Sequence, residues 1–438
     1  MSDPSLPIDL TLLGRTAQIG ANGRLELGGC DVATLAQRFG TPLYVYDETE
    51  LRDRSAEYLQ AFGPGGAAYA SKAFWCLAMA RVVNEAGLDL DVATGGELDV
   101  AARAQFPMER VVLHGNNKSE GELARALELG VGRIVVDSFD ELDRLDRLAA
   151  AHHHTRLMVR VTPGVEAHTH EYIETGGDES KFGLSIERGL ALAAVRRVVD
   201  HSPLPFAGLH CHIGSQIALL DAFDRAASVV ADFVAEVTTQ TGAAVPEVSL
   251  GGGLGVAYMG GDTFPSVADY AARLNSGWTT ACQAAGVDTP RLTVEPGRSI
   301  AARAGITLYT VGTIKQIPGV RTYVAVDGGM SDNPRPALYG AQYEAFLAAD
   351  AAASRDLTVS VAGKHCEQGD VLIGDAHVPP TIGVGDVLVV PVTGAYSASM
   401  ASNYNRLPRP AVVFVRDGQA REVVRRETFD DLVARETV

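Results

Sequence analysis

The stretch RVVLHGNNKSEGELARALELGVGRIVVD, residues 110 to 137, decides the fold. It opens on a short β-branched run, Arg110–His114, and crosses a polar turn. It continues as a helical segment, Ser119–Leu129, closes on Gly130 and returns to a second β-branched run, Ile134–Asp137. Glycine just past the last helical residue is what a helix end prefers. Strands alternating with helices in this way are βαβ units, and such units build a parallel sheet. Working outward, the alternation runs from about residue 66 to 297. The candidate strands are Ala67–Lys72, Asp89–Thr94, Arg110–His114, Ile134–Asp137, Arg156–Val161, Phe206–Ile213, Val248–Leu250 and Leu292–Glu295. Helical segments between them include Gly96–Ala104, Ser119–Leu129, Phe139–Ala151, Asp221–Thr239 and Val267–Ala285. Eight units over roughly 250 residues have the size of a (β/α)8 TIM-like barrel. An open doubly wound sheet is the alternative, but eight successive units favour closure.

The pattern changes after Gly297. Ile306–Ile317, Arg321–Val326, Leu357–Ala362, Val387–Val392, Ala411–Val415 and Glu422–Arg426 read as strands with turn signals such as DGG and RDG between them. This predicts a mostly β C-terminal domain completed by the N-terminal segment, whose own strand is Leu43–Tyr46. The expected division is a barrel over 47–300, with 1–46 and 301–438 forming a β-sandwich or β-barrel-like domain. The run His152–His154 falls between a helix and a strand and reads as a solvated turn.

Composition excludes several classes of function. The chain has 438 residues, 46% hydrophobic and 21% charged, with a formal net charge of -17. That mean field repels phosphates, so general affinity for nucleic acid or an anionic membrane surface is not expected. No run of 18 apolar residues suggests a membrane span. The opening MSDPSLPIDL lacks the basic and apolar regions of a signal peptide. Five scattered cysteines, Cys30, Cys76, Cys211, Cys282 and Cys366, fit neither a disulfide framework nor a zinc pattern, so a reducing cytoplasm is the expected setting. The chain has only five lysines, at 72, 118, 181, 315 and 364, which makes each position informative.

Barrel active sites lie at the C-terminal ends of the strands. Those ends carry Lys72 after strand one, His212 with His210 on strand six, Gly251, Gly252 and Gly253 after strand seven, and Glu295 with Arg298 after strand eight. Each has a bland alternative. A lone lysine is usually a solvated surface residue; a desolvated one has a lowered pKa and forms an imine with an aldehyde. The glycine run is either a flexible turn or a phosphate cradle, and it matches neither a P-loop nor a full dinucleotide fingerprint. In a barrel, the loops after strands seven and eight are the usual phosphate site. The His-x-His pair suits a metal-dependent hydrolase only with ligands at other strand ends, of which His114 is one candidate. Strands seven and eight supply glycine and glutamate instead, so no metal is expected. Glu295 is either a structural ion pair or the acidic partner of a heterocyclic nitrogen. An imine lysine, a ring-stacking histidine, a phosphate cradle and an acidic pyridine partner, in barrel order, together describe a pyridoxal 5'-phosphate pocket.

The motifs Tyr69-Ala-Ser-Lys72-Ala, Asp91-Val-Ala-Thr-Gly-Gly-Glu97-Leu, His114-Gly-Asn-Asn-Lys118, His210-Cys-His-Ile-Gly-Ser-Gln216, Gly251-Gly-Gly-Leu-Gly255, Glu295-Pro-Gly-Arg298, Gly363-Lys-His-Cys366-Glu367 and Gly394-Ala-Tyr396 carry a resemblance across nearly the whole chain. The chain resembles the diaminopimelate decarboxylase family, among the barrel-type, alanine-racemase-like pyridoxal-phosphate decarboxylases. The resemblance implies that Lys72 holds the cofactor covalently and that His212 stacks on its ring. It assigns the phosphate to Ser215, the glycines 251 to 253 and the backbone of Glu295, Pro296, Gly297 and Arg298, and the pyridine nitrogen to Glu295. Arg298, Arg335, Tyr339 and Glu367 would bind substrate, with Tyr396 near both substrate and cofactor. Cys366 would protonate the decarboxylated carbon across a homodimer interface, so that the active site is shared between chains. The family usually has serine where this chain has Gln368.

The implied reaction takes meso-2,6-diaminopimelate to L-lysine and carbon dioxide, the last step of lysine biosynthesis. Arginines suit carboxylates because the guanidinium fork binds them bidentately, and Glu367 suits a distal ammonium. The alternative is a related decarboxylase of ornithine, arginine or a carrier-bound glutamyl group. A racemase on the same fold and a non-catalytic homologue are the remaining rivals.

Overall fold

A computed structural model describes residues 8–149, 154–165 and 180–437. His152 and His153 of the histidine run lie outside the described residues. Two compact units emerge. One comprises Ser55–Gly255 with Phe264–Gly297; the other comprises Met1–Arg54, Val256–Thr263 and Arg298–Val438.

The first unit is a parallel barrel. Its strands are Ala68–Ala70, Asp89–Val92, Val111–Leu113, Arg133–Val136, Arg156–Thr162, Phe206–His210, Glu247–Ser249 and Arg291–Thr293, each hydrogen-bonded to the next. A bridge between Ala67 and Val294 closes the ring, with Ala68 N–H donating to the Val294 carbonyl at 2.9 Å and Ala70 N–H to Pro296 at 2.9 Å. All eight expected strands are present. Their residues are mostly buried on both faces, as a sheet covered by helices requires. The helices start and stop where local chemistry dictates. Ser119 and Glu122 form a capping box at Glu120–Leu129, and the helix ends on left-handed Gly130. Thr94, Ser138 and Ser266 cap three further helices through their side-chain oxygens.

One expectation is corrected here. The sixth strand ends at His210, so His212 lies in the loop beyond it rather than on the strand. The chain leaves the sheet at Cys211-His212-Ile213, and Gly214 follows with φ of 149°.

The opposite ends of the strands are held by a buried ion cluster. Arg133 opens strand four and donates to Glu247 at 2.5 Å, at the start of strand seven, and to Asp89, at the start of strand two. Its side chain is almost fully enclosed. Removing one member of such a cluster leaves uncompensated charge in a dry interior. We therefore expect Arg133→Met to cost about 3–5 kcal/mol in urea denaturation. An unchanged midpoint would contradict a stabilising role.

The second unit is built on a mixed sheet. Its path runs Val371–Val378, Leu357–Ala362, Arg321–Val326, Gly305–Ile317, Leu43–Asp47, Ala411–Arg416 and Gln419–Val424. The N-terminal strand Leu43–Asp47 is central. It runs antiparallel to Gly305–Ile317, with Tyr46 opposite Gly305, and parallel to Ala411–Arg416, with Leu43 opposite Ala411. Leu43, Val45, Ile306, Leu308, Val413 and Val415 share one core with Leu25 and Leu27. Two strands of this sheet escape the sequence pattern: Val371–Val378, interrupted by exposed Gly374 and Asp375, and the two-residue Phe346–Leu347; so does a separate three-stranded sheet of Gln18–Ile19, Leu25–Leu27 and Cys30–Asp31. The last expected strand, Glu422–Arg426, forms instead as Gln419–Val424, paired with Ala411–Arg416.

Candidate active site

The carboxyl ends of the barrel strands gather the expected residues of the first unit. Strand one runs into a single 3-10 turn, Ser71–Ala73; Ser71 and Ala73 are buried while Lys72 is exposed. The Lys72 charge acts on two neighbours. The His212 imidazole is pushed well below its ordinary pKa, by burial first and then by Lys72 and Arg160. A neutral imidazole can lie against a cationic heterocycle without charge repulsion.

Glu295, two residues past strand eight, is approached by two imidazoles and a hydroxyl. His210 Nε2 lies 2.9 Å from Oε2, His114 Nε2 lies 3.2 Å from Oε1, and Ser249 Oγ donates to Oε1 at 3.0 Å. Burial pushes this carboxyl up, but the two imidazoles outweigh it and hold Glu295 well below the ordinary carboxylate value. His210 is itself pushed down to about 4, mainly by burial. The consistent state is an ionised Glu295 accepting an N–H from a neutral His210, whose Nδ1 has no hydrogen-bond partner among the described residues. His114, His210 and Glu295 hold their ligand atoms within 4.8 Å of one another, a set that can also take a metal ion. Sequence reading named His114 only as a possible metal ligand. Its approach to Glu295 links the ends of strands three and eight, which no local pattern reveals.

Asp91, just inside the end of strand two, lies 3.7 Å from His114 Nε2. Burial and then Glu295 raise its pKa to about 6, against the opposing pull of His114 and Lys72. The sign follows from linkage. A raised carboxyl binds its proton more tightly when folded, so its stabilising contribution is present at low pH and is lost as pH rises from about 4 through about 6. We expect Asp91→Asn to gain on the parent chain over that window, by about 2–3 kcal/mol above pH 7. Urea denaturation as a function of pH measures this; a gap that does not open with pH would contradict it.

The loop after strand seven is a close fit of backbone on backbone. A side chain at Gly252 would put Cβ 2.2 Å from the Glu295 carbonyl, and one at Gly251 would put it 2.7 Å from the Cys211 carbonyl. Glu295 N–H donates to the Gly251 carbonyl at 2.9 Å, which ties this loop to strand eight. Among the described residues, no acceptor meets the N–H groups of Gly252, Gly253 or Gly297, and Gly252 and Gly297 are buried. Buried N–H groups rarely stay unpaired, so these are candidates to hold an anion. Ser215 is half-buried on the loop after strand six. Lys72, ionised Glu295 and this cradle fit the donor set that pyridoxal phosphate needs: an amine for its aldehyde, an acid for its ring nitrogen and N–H groups for its phosphate.

The second unit carries a separate cluster. Arg298 donates to the Tyr258 hydroxyl at 2.7 Å and lies 4.8 Å from the ring centroid of Tyr396. Tyr396 is half-buried with φ of 61°. Arg335 opens a short helix, Arg335–Tyr339, and donates to the Tyr343 hydroxyl at 2.5 Å, with its guanidinium 4.6 Å from the Tyr258 centroid. Arg335 is buried, and among the described residues no carboxylate pairs with it. Burial first, with Arg335 opposing, pushes Tyr343 up to about 12, so this hydroxyl stays neutral and leaves the arginine charge uncompensated. Tyr339, at the end of that helix, is half-buried, and Cys366 and Glu367 are both exposed. Tyr258 and Tyr343 were missed by sequence reading. Tyr258 lies between a glycine loop and a helix of the barrel pattern, yet its segment belongs to the second unit.

Together these features define a class: a barrel whose mouth carries a lysine, an ionised acid and backbone N–H groups that suit pyridoxal phosphate. The comparisons narrow it. Residues 48–302 match the family model described as pyridoxal-dependent decarboxylase, pyridoxal binding domain. The diaminopimelate decarboxylase of Mycobacterium tuberculosis (strain ATCC 25618 / H37Rv) is 49% identical, over 94% of this chain and 95% of that protein. The Bacillus subtilis (strain 168) diaminopimelate decarboxylase is 47% identical, over 95% and 96%. A crystal structure of M. jannaschii diaminopimelate decarboxylase in complex with L-lysine aligns with a TM-score of 0.89 at 34% identity, over 97% of this chain and 98% of that one. The chain belongs to the diaminopimelate decarboxylase family of pyridoxal-dependent decarboxylases.

Proposed function

We infer that the chain removes one carboxyl group of meso-2,6-diaminopimelate as carbon dioxide, at the D-centre, and releases L-lysine. Pyridoxal 5'-phosphate is the cofactor. The observation that carries the substrate class is Arg335, a buried guanidinium that no carboxylate pairs with among the described residues, which suits a carboxylate. A diamine precursor with no distal carboxylate, such as ornithine, would leave that charge unmet. The L-lysine bound in the M. jannaschii relative is in keeping with this.

The residues divide the work. Lys72 would hold the cofactor covalently, His212 would stack on its ring, and Ser215 with the backbone of 251–253 and 295–298 would take the phosphate. When bound, the cofactor supplies an electron sink for the pair left behind as carbon dioxide departs. Glu295, kept ionised by His210 and His114, keeps the proton on the ring nitrogen, where a neutral partner would not. Arg298, Arg335, Tyr339 and Glu367 anchor the distal amino acid head, with Tyr396 near both ligands. Distal anchoring matters because the bond to be broken must be held at a fixed angle, and positioning alone accounts for several kcal/mol of barrier. Cys366 of a second chain would deliver the proton to the carbon that has lost carbon dioxide, making a homodimer the working unit. All five cysteines are free thiols, in keeping with a cytoplasmic enzyme. No helix among the described residues is long and apolar enough to cross a membrane.

The test is the visible spectrum of the purified protein with pyridoxal phosphate. A protein-bound band that changes on adding meso-diaminopimelate, and not on adding ornithine, is expected. A spectrum indifferent to meso-diaminopimelate would overturn the assignment. Arg335→Lys should raise KM at least about tenfold, because a point charge replaces a fork; an unchanged KM would remove Arg335 from the substrate site.

A further inference from the structure

We propose that Asn405 is a positioning residue for Cys366, the centre of a clamp that also uses His365 and Asp370. The inference rests on Cys366 as the proton donor. Three loops of the second unit meet beneath the Cys366–Glu367 turn: 327–333, 363–370 and 402–405. The side chain that takes the Cys366 N–H is that of Asn405, whose Oδ1 accepts it at 3.0 Å. The same oxygen lies 3.3 Å from His365 Nδ1.

The partners of His365 fix its tautomer. Nε2 faces the Ser331 N–H at 3.3 Å, which can only donate, and the Ser331 hydroxyl at 2.8 Å. Nε2 is therefore the acceptor and Nδ1 carries the proton toward Asn405. The ring stacks on Tyr404, with centroids 5.2 Å apart and planes at 26°. Asp370 fastens the other side. It accepts from His365 N–H at 2.8 Å and from Met330 N–H at 2.7 Å, while the Asp370 N–H donates to the Glu367 carbonyl at 3.1 Å. The carboxylate lies so close that a Cβ on Gly363 would come within 2.1 Å of it and one on Gly329 within 2.6 Å. Asn405 holds a left-handed backbone, φ 50° and ψ 26°, a conformation asparagine tolerates better than most residues.

The consequence is geometric. Cys366 is exposed, yet its backbone is tied through its own N–H and through His365, so its thiol keeps one torsional freedom with three staggered positions. A proton donor hung in this way approaches a carbanion from one side. Loosening the clamp would let it approach from more than one direction.

Asn405→Gly removes the acceptor and keeps the left-handed backbone at no steric cost; Asn405→Asp keeps an acceptor oxygen. Two measurements on the holoenzyme decide. Amide hydrogen exchange over 363–370 should quicken about fivefold in Asn405→Gly, the factor one net hydrogen bond represents, and stay near the parent rate in Asn405→Asp. Turnover of meso-diaminopimelate in deuterium oxide should give lysine with deuterium in one configuration from the parent and from Asn405→Asp, and in mixed configuration from Asn405→Gly. Unchanged exchange in Asn405→Gly overturns the clamp. Faster exchange with one pure configuration overturns the positioning role. Cys366→Ala separates the two levels. If it turns over at the parent rate and gives one configuration, the donor assignment has failed; if its turnover collapses, or its residual lysine is mixed, while Asn405→Gly gives one configuration, only the role of Asn405 has.

Discussion

Lys72→Ala is expected to bring decarboxylation to the limit of detection and to remove the visible absorbance of bound cofactor. The amine at Lys72 is the group able to bind an aldehyde covalently at this mouth, and alanine has nothing to replace it. The loss would not come from unfolding. Lys72 is exposed at the tip of a one-turn element, flanked by buried Ser71 and Ala73, and substitutions at such positions usually stay within about 0.5 kcal/mol. The check is therefore paired: activity and spectrum on one side, urea denaturation on the other. A fully active Lys72→Ala chain would sink the assignment. An inactive chain with an unchanged denaturation midpoint would support it.

The second large effect concerns two inactive chains. Lys72→Ala and Cys366→Ala are each expected to be inactive or nearly so. Mixed after reversible dissociation, they should recover activity, because one of the two sites in a hybrid dimer would draw its lysine and its cysteine from unaltered chains. With random pairing, half the dimers are hybrids with one intact site each, so recovery approaches about a quarter of the parent value. Mixed dimers that form, shown by native mass spectrometry, yet recover nothing would remove the shared-site model. It would leave the cofactor assignment to Lys72 untouched.

Much of the fold was legible because barrel strands are short apolar runs, mostly buried on both faces, and several helices carry their own caps. Ser119, Glu122 and Gly130 mark one helix completely. What blurred was strand ends: the run through His212 keeps an apolar-looking alternation past the end of the strand at His210. Val371–Val378 was missed because Gly374 and Asp375 look like a turn, while the ladder to Leu357–Ala362 overrides that preference with two register shifts. At the site, Lys72, Glu295 and the glycine run were visible as unusual residues at strand ends. The ring of His114, His210 and Ser249 around Glu295 was not, since it joins four strands distant in sequence. Arg335, Tyr339, Glu367 and Cys366 are named through resemblance alone. Tyr258 and Tyr343 carried no signal, as tyrosines near loops are ordinary; what singles them out is the buried arginine between them.

The central claim is a reaction, and counting its products tests it most directly. Purified protein with pyridoxal phosphate and meso-diaminopimelate should yield carbon dioxide and L-lysine in equal amounts. Parallel reactions with ornithine, arginine and L-lysine should yield no more carbon dioxide than a protein-free control. No carbon dioxide from meso-diaminopimelate, or faster release from ornithine or arginine, would contradict the account.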